Sequence, residues 1–251
     1  MLHRLLLAFC LTVPAAITVA QQIHAHNDYE KPEPFLNAYK HRADFIEADV
    51  WLQNGRLVVA HDKPKVDAPT LDSLYIRPIA RLFAENDGKV SADRKYTFGL
   101  MIDVKDSYEE VLPKLLELLQ TNVTAFNRSA NPLAVQVIIS GNRPRPDTFL
   151  DYPLLIQFDG RPSELYGEET LRRVALVSDS FMSYSRWNGT GELSEQDEDK
   201  LKRVIKRAHK DGKPIRFWAI PDTPNAWKKL KKIGVDIINT DKVAEATETL
   251  K

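Results

Sequence analysis

FIEADVWLQNGRLVVAH, residues Phe45 to His61, holds two extended runs and the turn between them. Side chains alternate along a strand, so Glu47 and Asp49 of the first run, Phe45–Leu52, point to one side of it. Gln53-Asn54-Gly55-Arg56 comes next, and Asn-Gly between apolar runs is a hairpin signal because both residues tolerate positive φ. The chain therefore folds back along Leu57–His61, and His61 returns toward the strand it left. Acids inside an apolar strand are costly unless they are paired or bind a cation, so the stretch marks a site as well as a fold.

Outward from it, short apolar runs rich in β-branched residues recur at Gln22–His26, Phe98–Lys105, Ala134–Ser140, Leu154–Phe158, Val174–Val177, Ile215–Ile220 and Asp236–Asn239. Helical segments separate them. Ser107–Gln120 carries Val111, Leu112, Leu115, Leu116 and Leu119 at helical spacing. Ser194 caps a charged helix that Gly212 ends, and Thr223-Pro224 starts another that Gly234 closes. Lys228, Lys229, Lys231 and Lys232 on the latter read as a solvated face. The segment TLDSLYIRPIARLFAE, from Thr70, is expected to form helical turns broken near Pro78. Eight strands alternating with helices predict a closed parallel (β/α)8 TIM barrel, a single domain over residues 21–251.

The chain has 251 residues, with 35 Lys+Arg against 35 Asp+Glu, and this balance argues against a nucleic-acid partner, which needs a basic surface. Residues 1–20 read as a secretory signal peptide: a short basic start, an apolar run and small residues before a cut after Ala20. The run is short for a membrane span and contains Pro14. The expected locations are secreted or periplasmic. Cys10, the only cysteine, falls in this leader, which excludes disulfides, thiolate metal sites and a cysteine nucleophile from the mature chain. Asn122, Asn127 and Asn188 head N-x-S/T sequons, which matter only in a eukaryotic host.

In a parallel barrel the carboxyl ends of the strands share one mouth, where active sites gather. His26 ends the first strand, Glu47 and Asp49 lie on the second, His61 returns on the hairpin, and Asp103 and Lys105 end the next. Three carboxylates together call for positive charge, and hard oxygen ligands suit one divalent cation, Mg²⁺ or Ca²⁺, better than Zn²⁺. The alternative is structural salt bridging by Lys105 and Arg42. His26 and His61 facing each other across the metal would suit acid-base work near neutrality. His24 lies deeper on the same side, where a supporting or core role is expected. Asn27 and Asp28 are placed to orient His26 or touch a bound ligand, with a turn role open for Asp28; Asp159, Asp179 and Asp241 read as loop caps.

HAHNDY, FIEADVWLQNGRLVVAHD, MIDVKD, RFWAIPDTPNAW and GVDIINTDK, taken in order, resemble the glycerophosphodiester phosphodiesterase and phospholipase-C-like barrel superfamily. HNDY, EADVWL, AHD and TLDSLY look most like its branch named after altered-inheritance-of-mitochondria protein six. The resemblance covers nearly all of the mature chain. It implies a distorted barrel whose mouth binds one divalent metal and cleaves a phosphodiester. His26 and His61 match the catalytic histidines, Glu47, Asp49 and Asp103 the metal ligands, and Lys105 the lysine that contacts phosphate. Trp218 matches a mouth tryptophan, either as a wall for the alcohol portion or as core packing. Two departures stand out. HND replaces the usual HRG, removing a phosphate-holding arginine; Arg143, after the fourth barrel strand, is either its replacement or a solvated loop arginine. Asp103 replaces a common Glu, as in spider-venom sphingomyelinase D enzymes.

The expected function is metal-dependent cleavage of a glycerophosphodiester or related phospholipid headgroup diester, by a monomer acting on a small or lipid-headgroup substrate. The alternatives are lyase or phospholipase-D-like cleavage of choline phospholipids and a non-catalytic barrel that binds phosphate or glycans.

Overall fold

The computed structural model describes residues 21–251; the leader expected at residues 1–20, Cys10 included, lies outside them. Strands β1 (Gln22–Ala25), β2 (Phe45–Gln53), β3 (Arg56–Val59), β4 (Gly99–Val104), β5 (Gln136–Gly141), β6 (Ile156–Gly160), β7 (Val174–Ser180), β8 (Ile215–Trp218) and β9 (Ile237–Thr240) form one sheet. Around it run helices α1 (Leu36–Lys40), α2 (Arg77–Glu85), α3 (Tyr108–Gln120), α4 (Val123–Phe126), α5 (Glu168–Leu171), α6 (Glu195–Lys210), α7 (Pro224–Ile233) and α8 (Val243–Leu250). The sheet runs β1-β9-β8-β7-β6-β5-β4-β2 with all neighbours parallel, and β1 pairing with β2 closes it. This is the eight-stranded TIM barrel that the sequence pattern predicts.

β3 stands outside the ring. β2 is long enough to pair β1 through Phe45 and Ile46 and then continue to Gln53, where Val50–Gln53 pair antiparallel with β3. Asn54 and Gly55 take φ of 51° and 74°, the left-handed pair that a two-residue hairpin needs. The hairpin delivers His61 beside Asp49, with Ala60 N donating to Asp49 O at 3.2 Å.

The helix caps follow the residue chemistry. Ser194 Oγ accepts from Asp197 N, Thr223 Oγ1 accepts from Ala226 N, and Gly234 ends α7 at φ 100°. Pro78 does not break its helix. A π turn, Asp72–Ile76, runs directly into α2, with Arg77 N donating to Asp72 O, so the wider turn places Pro78, which has no N–H, in the first turn of α2.

Inside the barrel the side chains form layers. Phe45, Met101, Ile138, Leu176 and Ile237 fill the end away from the mouth with apolar groups. Gly99 makes room there, because a Cβ would collide with the Phe45 ring. Above them lies a buried polar layer that includes His24, Glu47, Asp159, Ser178, Arg216 and Asn239. The mouth opens over this layer.

Candidate active site

β2 and β4 place Asp49 directly beside Asp103 in the parallel register, with Glu47 one inward position deeper. Ligand oxygens of these three residues lie within 4.8 Å of one another. Glu47 and Asp49 are buried. Lys105 Nζ bridges the outer pair, 2.9 Å from Asp49 Oδ2 and 2.5 Å from Asp103 Oδ2. One ammonium does not balance Asp49 and Asp103 together. Burial, and after it the charge of Glu47, raises Asp49 above the ordinary carboxylate range and Asp103 to about 6, despite the pull of Lys105. Burial works against the Lys105 ammonium, but Asp103 and Asp49 outweigh it and its shift is upward. Both partners thus shift upward: the lysine holds its proton firmly, while the acids remain crowded enough to gain from a further positive charge. That electrostatic deficit, with an all-oxygen donor set, fits a hard dication. Arg42 has no part in the cluster; its guanidinium pairs with Asp93 at 2.8 Å and lies over the Tyr96 ring.

Glu47 differs from its neighbours because it is held from below. Arg216 Nη1 donates to Glu47 Oε2 at 2.7 Å and to Asn239 Oδ1 at 3.2 Å, which uses both of its protons. His24 Nε2, 2.5 Å from the same Glu47 oxygen, is therefore the donor of that bond even with Arg216 Nη1 only 2.6 Å away. This proton count corresponds to the neutral Nε2–H tautomer, and Nδ1 is buried with no partner among the described residues. Burial, reinforced by Arg216, pushes His24 down to about 4. Burial alone would raise Glu47, yet Arg216 and His24 hold it well below the carboxylate range.

His26 sits at the mouth, its Nδ1 2.8 Å from Asp241 Oδ1. Burial opposes the imidazolium, but the bond to Asp241 and the charge of Glu47 outweigh it, and His26 is shifted upward. Asp241 is correspondingly lowered, because His26 outweighs its own burial. The acid expected to cap a loop thus serves as the partner of His26. His61 Nδ1 lies 3.7 Å from Asp49 Oδ2 and 3.5 Å from the Tyr29 hydroxyl. The two histidines are joined by an arch: Asn27 Nδ2 donates to Asp241 Oδ2 at 3.4 Å, and Tyr29 OH donates to Asn27 Oδ1 at 3.1 Å.

Other placements depart from expectation. Asn27 is committed at both ends of its amide, in a left-handed backbone with φ 49°, so it spans the arch instead of reaching for substrate. Asp28 is buried and accepts from Phe35 N at 2.5 Å and Tyr75 OH at 3.0 Å, anchoring the loop from below. Arg143, the expected substrate contact, is turned into the protein. Its side chain is only 6% exposed, Nη2 pairs with Glu164 at 2.6 Å, and the guanidinium lies over Phe149. Trp218 stands at the mouth with the Arg161 guanidinium 5.2 Å above its ring. Arg216 and Arg161 carry no expectation from the sequence, and Asp159, expected as a loop cap, lies instead in the buried polar layer. Arg216 and Asp159 bear the same mark as Glu47, a charge in an apolar strand, whereas Arg161 follows its strand and bears none.

Comparisons with known proteins bear on the family and the fold. The model of the AIM6-like phosphodiesterase domain matches residues 15–146, and that of the glycerophosphoryl diester phosphodiesterase family matches residues 214–244. Altered inheritance of mitochondria protein 6 of Eremothecium gossypii is 28% identical, over 90% of this chain and 68% of that protein. A homologue in Arthroderma benhamiae is also 28% identical, over 89% of this chain and 82% of its own length. The barrel is similar to a glycerophosphodiester phosphodiesterase from Parabacteroides distasonis, with TM-score 0.58, 15% identity, and coverage of 91% of this chain and 96% of that one. It is also similar to a Ca²⁺-dependent phosphatidylinositol-specific phospholipase C from Streptomyces antibioticus, with TM-score 0.59, 10% identity, and coverage of 92% and 96%. At such identities the structural likeness speaks for the fold alone. The first family model spans more than half of the 251 residues, and the chain belongs to the AIM6-like phosphodiesterase domain family.

Proposed function

We propose that the protein is a metal-dependent phosphodiesterase that cleaves a glycerophosphodiester or a related headgroup diester by acid-base catalysis. The observation that carries this reading is the juxtaposition, at one barrel mouth, of the Glu47, Asp49 and Asp103 oxygens with the His26–Asp241 pair. Glu47, Asp49 and Asp103 would hold one Mg²⁺ or Ca²⁺, which when bound supplies positive charge to a phosphate oxygen and to the attacking group.

The remaining steps fall to the chain's own residues. Asp241 fixes His26 through Nδ1 and favours its protonated form, so His26 Nε2 is suited to give a proton to the leaving oxygen. His61, oriented through Nδ1 by Tyr29 and Asp49, has Nε2 available to take a proton from water or a substrate hydroxyl. Lys105 is the cation beside the carboxylates that can share the charge growing on the phosphate. The family description supports the reaction class. Export of the mature chain remains part of the proposal, and N-terminal sequencing of secreted protein tests it.

The deciding experiment is a diester panel on the protein from residue 21 onward: glycerophosphocholine, glycerophosphoinositol, a lysophospholipid and bis(p-nitrophenyl) phosphate, each with EDTA, Mg²⁺ or Ca²⁺. Metal-dependent turnover is expected, with a loss of roughly 10²–10⁴-fold in His26→Ala and in His61→Ala. No turnover on any diester, or full activity in either variant, refutes the reading. A cyclic phosphate as the sole final product identifies the lyase form of the same chemistry.

A further inference from the structure

Arg161 follows β6 at the mouth, and its guanidinium is held on one side and open on the other. Nη1 is committed to Asp159 Oδ2 at 2.8 Å and to the Gly160 carbonyl at 2.9 Å. Asp159 is itself fully buried and also accepts from Ser140 and Ser178 hydroxyls, so this anchor does not swing. The guanidinium rests on the Trp218 indole, which fixes its plane. Nη2 makes only a long contact, 3.4 Å, with Ser140 Oγ, and Nε has no acceptor among the described residues. The Nε–H and adjacent Nη2–H edge of an arginine is a two-pronged donor matched to phosphate or carboxylate oxygens. The side chain is 23% exposed, whereas Arg143 is sealed against Glu164 and Phe149.

We propose that Arg161 is an oxyanion-binding residue of this site, its open Nε/Nη2 edge taking phosphate oxygens of the substrate and standing in for the arginine absent after His26. The proposal deepens the phosphodiesterase reading and rests on it. The oxygens belong either to the scissile phosphate or to a second phosphate on the alcohol portion. In both cases the indole face beneath Arg161 already carries a cation, so it is closed to a quaternary ammonium.

The test uses Mg²⁺-loaded protein in wild-type, Arg161→Met, Arg161→Lys and Arg143→Met forms, with folding checked by circular dichroism. Calorimetric titration with sn-glycerol 3-phosphate needs no turnover. Arg161→Met is expected to weaken binding roughly 10–100-fold and Arg161→Lys, which keeps the charge on Asp159 but loses the fork, to weaken it less. Arg143→Met is expected to bind as wild type. If turnover of bis(p-nitrophenyl) phosphate falls in parallel in Arg161→Met, the scissile phosphate is the ligand. If only a diester bearing a second phosphate suffers, the headgroup is. Equal binding and turnover in folded Arg161→Met and Arg161→Lys, or an equal loss in Arg143→Met, overturns the subsite while leaving the phosphodiesterase reading intact. A wild-type protein that neither binds the probe nor cleaves any diester sinks both.

Discussion

His24 and His26 stand two residues apart on one strand end and meet opposite electrostatics. His24 is driven down to about 4 by burial and then by Arg216, whereas His26 ends above its ordinary value because Asp241 and Glu47 overcome its burial. In the unfolded chain His24 returns to about 6.5, so between about pH 4 and 6.5 the unfolded state binds the extra proton. Stability from this residue is therefore present above about pH 6.5 and lost on acidification toward 4, by at most roughly 3 kcal/mol. His26 has the opposite sign: its contribution is complete below about 6.5 and is lost as pH rises through its folded value. Urea unfolding at pH 7 and pH 5 checks the first effect, with a smaller difference expected in His24→Asn. The arch is tested by Tyr29→Phe, which takes away the oxygen that faces His61 and leaves Asn27 Oδ1 without its donor. Turnover is expected to fall about tenfold, equivalent to about 1.4 kcal/mol, with KM little changed in steady-state kinetics.

Among the elements, the end of β5 packs directly against the carboxylate cluster carried by β2 and β4. Gly141 has φ 68°, and a Cβ there would overlap Asp103 Oδ1 and the backbone of Val104. Gly141→Ala is expected to cost about 1 kcal/mol in left-handed strain and to turn the Asp103 carboxylate aside. Mg²⁺ affinity by calorimetry should fall by about tenfold or more while the circular dichroism spectrum persists. The hairpin was plain in the sequence because Asn54-Gly55 has few other uses between apolar runs. Pro78 misled because the rule that proline ends a helix assumes a regular α turn before it, and here the preceding turn is a π turn.

For the molecule as a whole, the barrel interior changes from apolar at one end to densely charged at the other. Arg216 joins the halves of the buried layer, contacting Glu47 at 2.7 Å and approaching Asp159 at 3.8 Å. Buried ion networks of this kind add little net stability, and their value here is to hold Glu47 and Arg161 in place. If the cluster holds a dication as proposed, and only in the folded chain, the ion at a concentration of 100 times Kd should add about 2.7 kcal/mol. In a domain of this size that is a rise in Tm of about 5–10 °C, reversed by EDTA and absent in Asp103→Asn, measured by differential scanning fluorimetry. Among the described residues no helix is long and apolar enough to cross a membrane.

Periodicity, turn chemistry and caps are local properties, so the sequence by itself determined the eight strands, the hairpin, the major caps and the row of charges at the strand ends. Closing the barrel decided which charges meet. Asp241 lies 215 residues from His26 yet hydrogen-bonds to it, and Arg216 lies 169 from Glu47. No local pattern encodes such pairs, because they depend on register around a closed ring. Closure also decided between two arginines that look alike as letters, sealing Arg143 against Glu164 and leaving an edge of Arg161 open over the mouth.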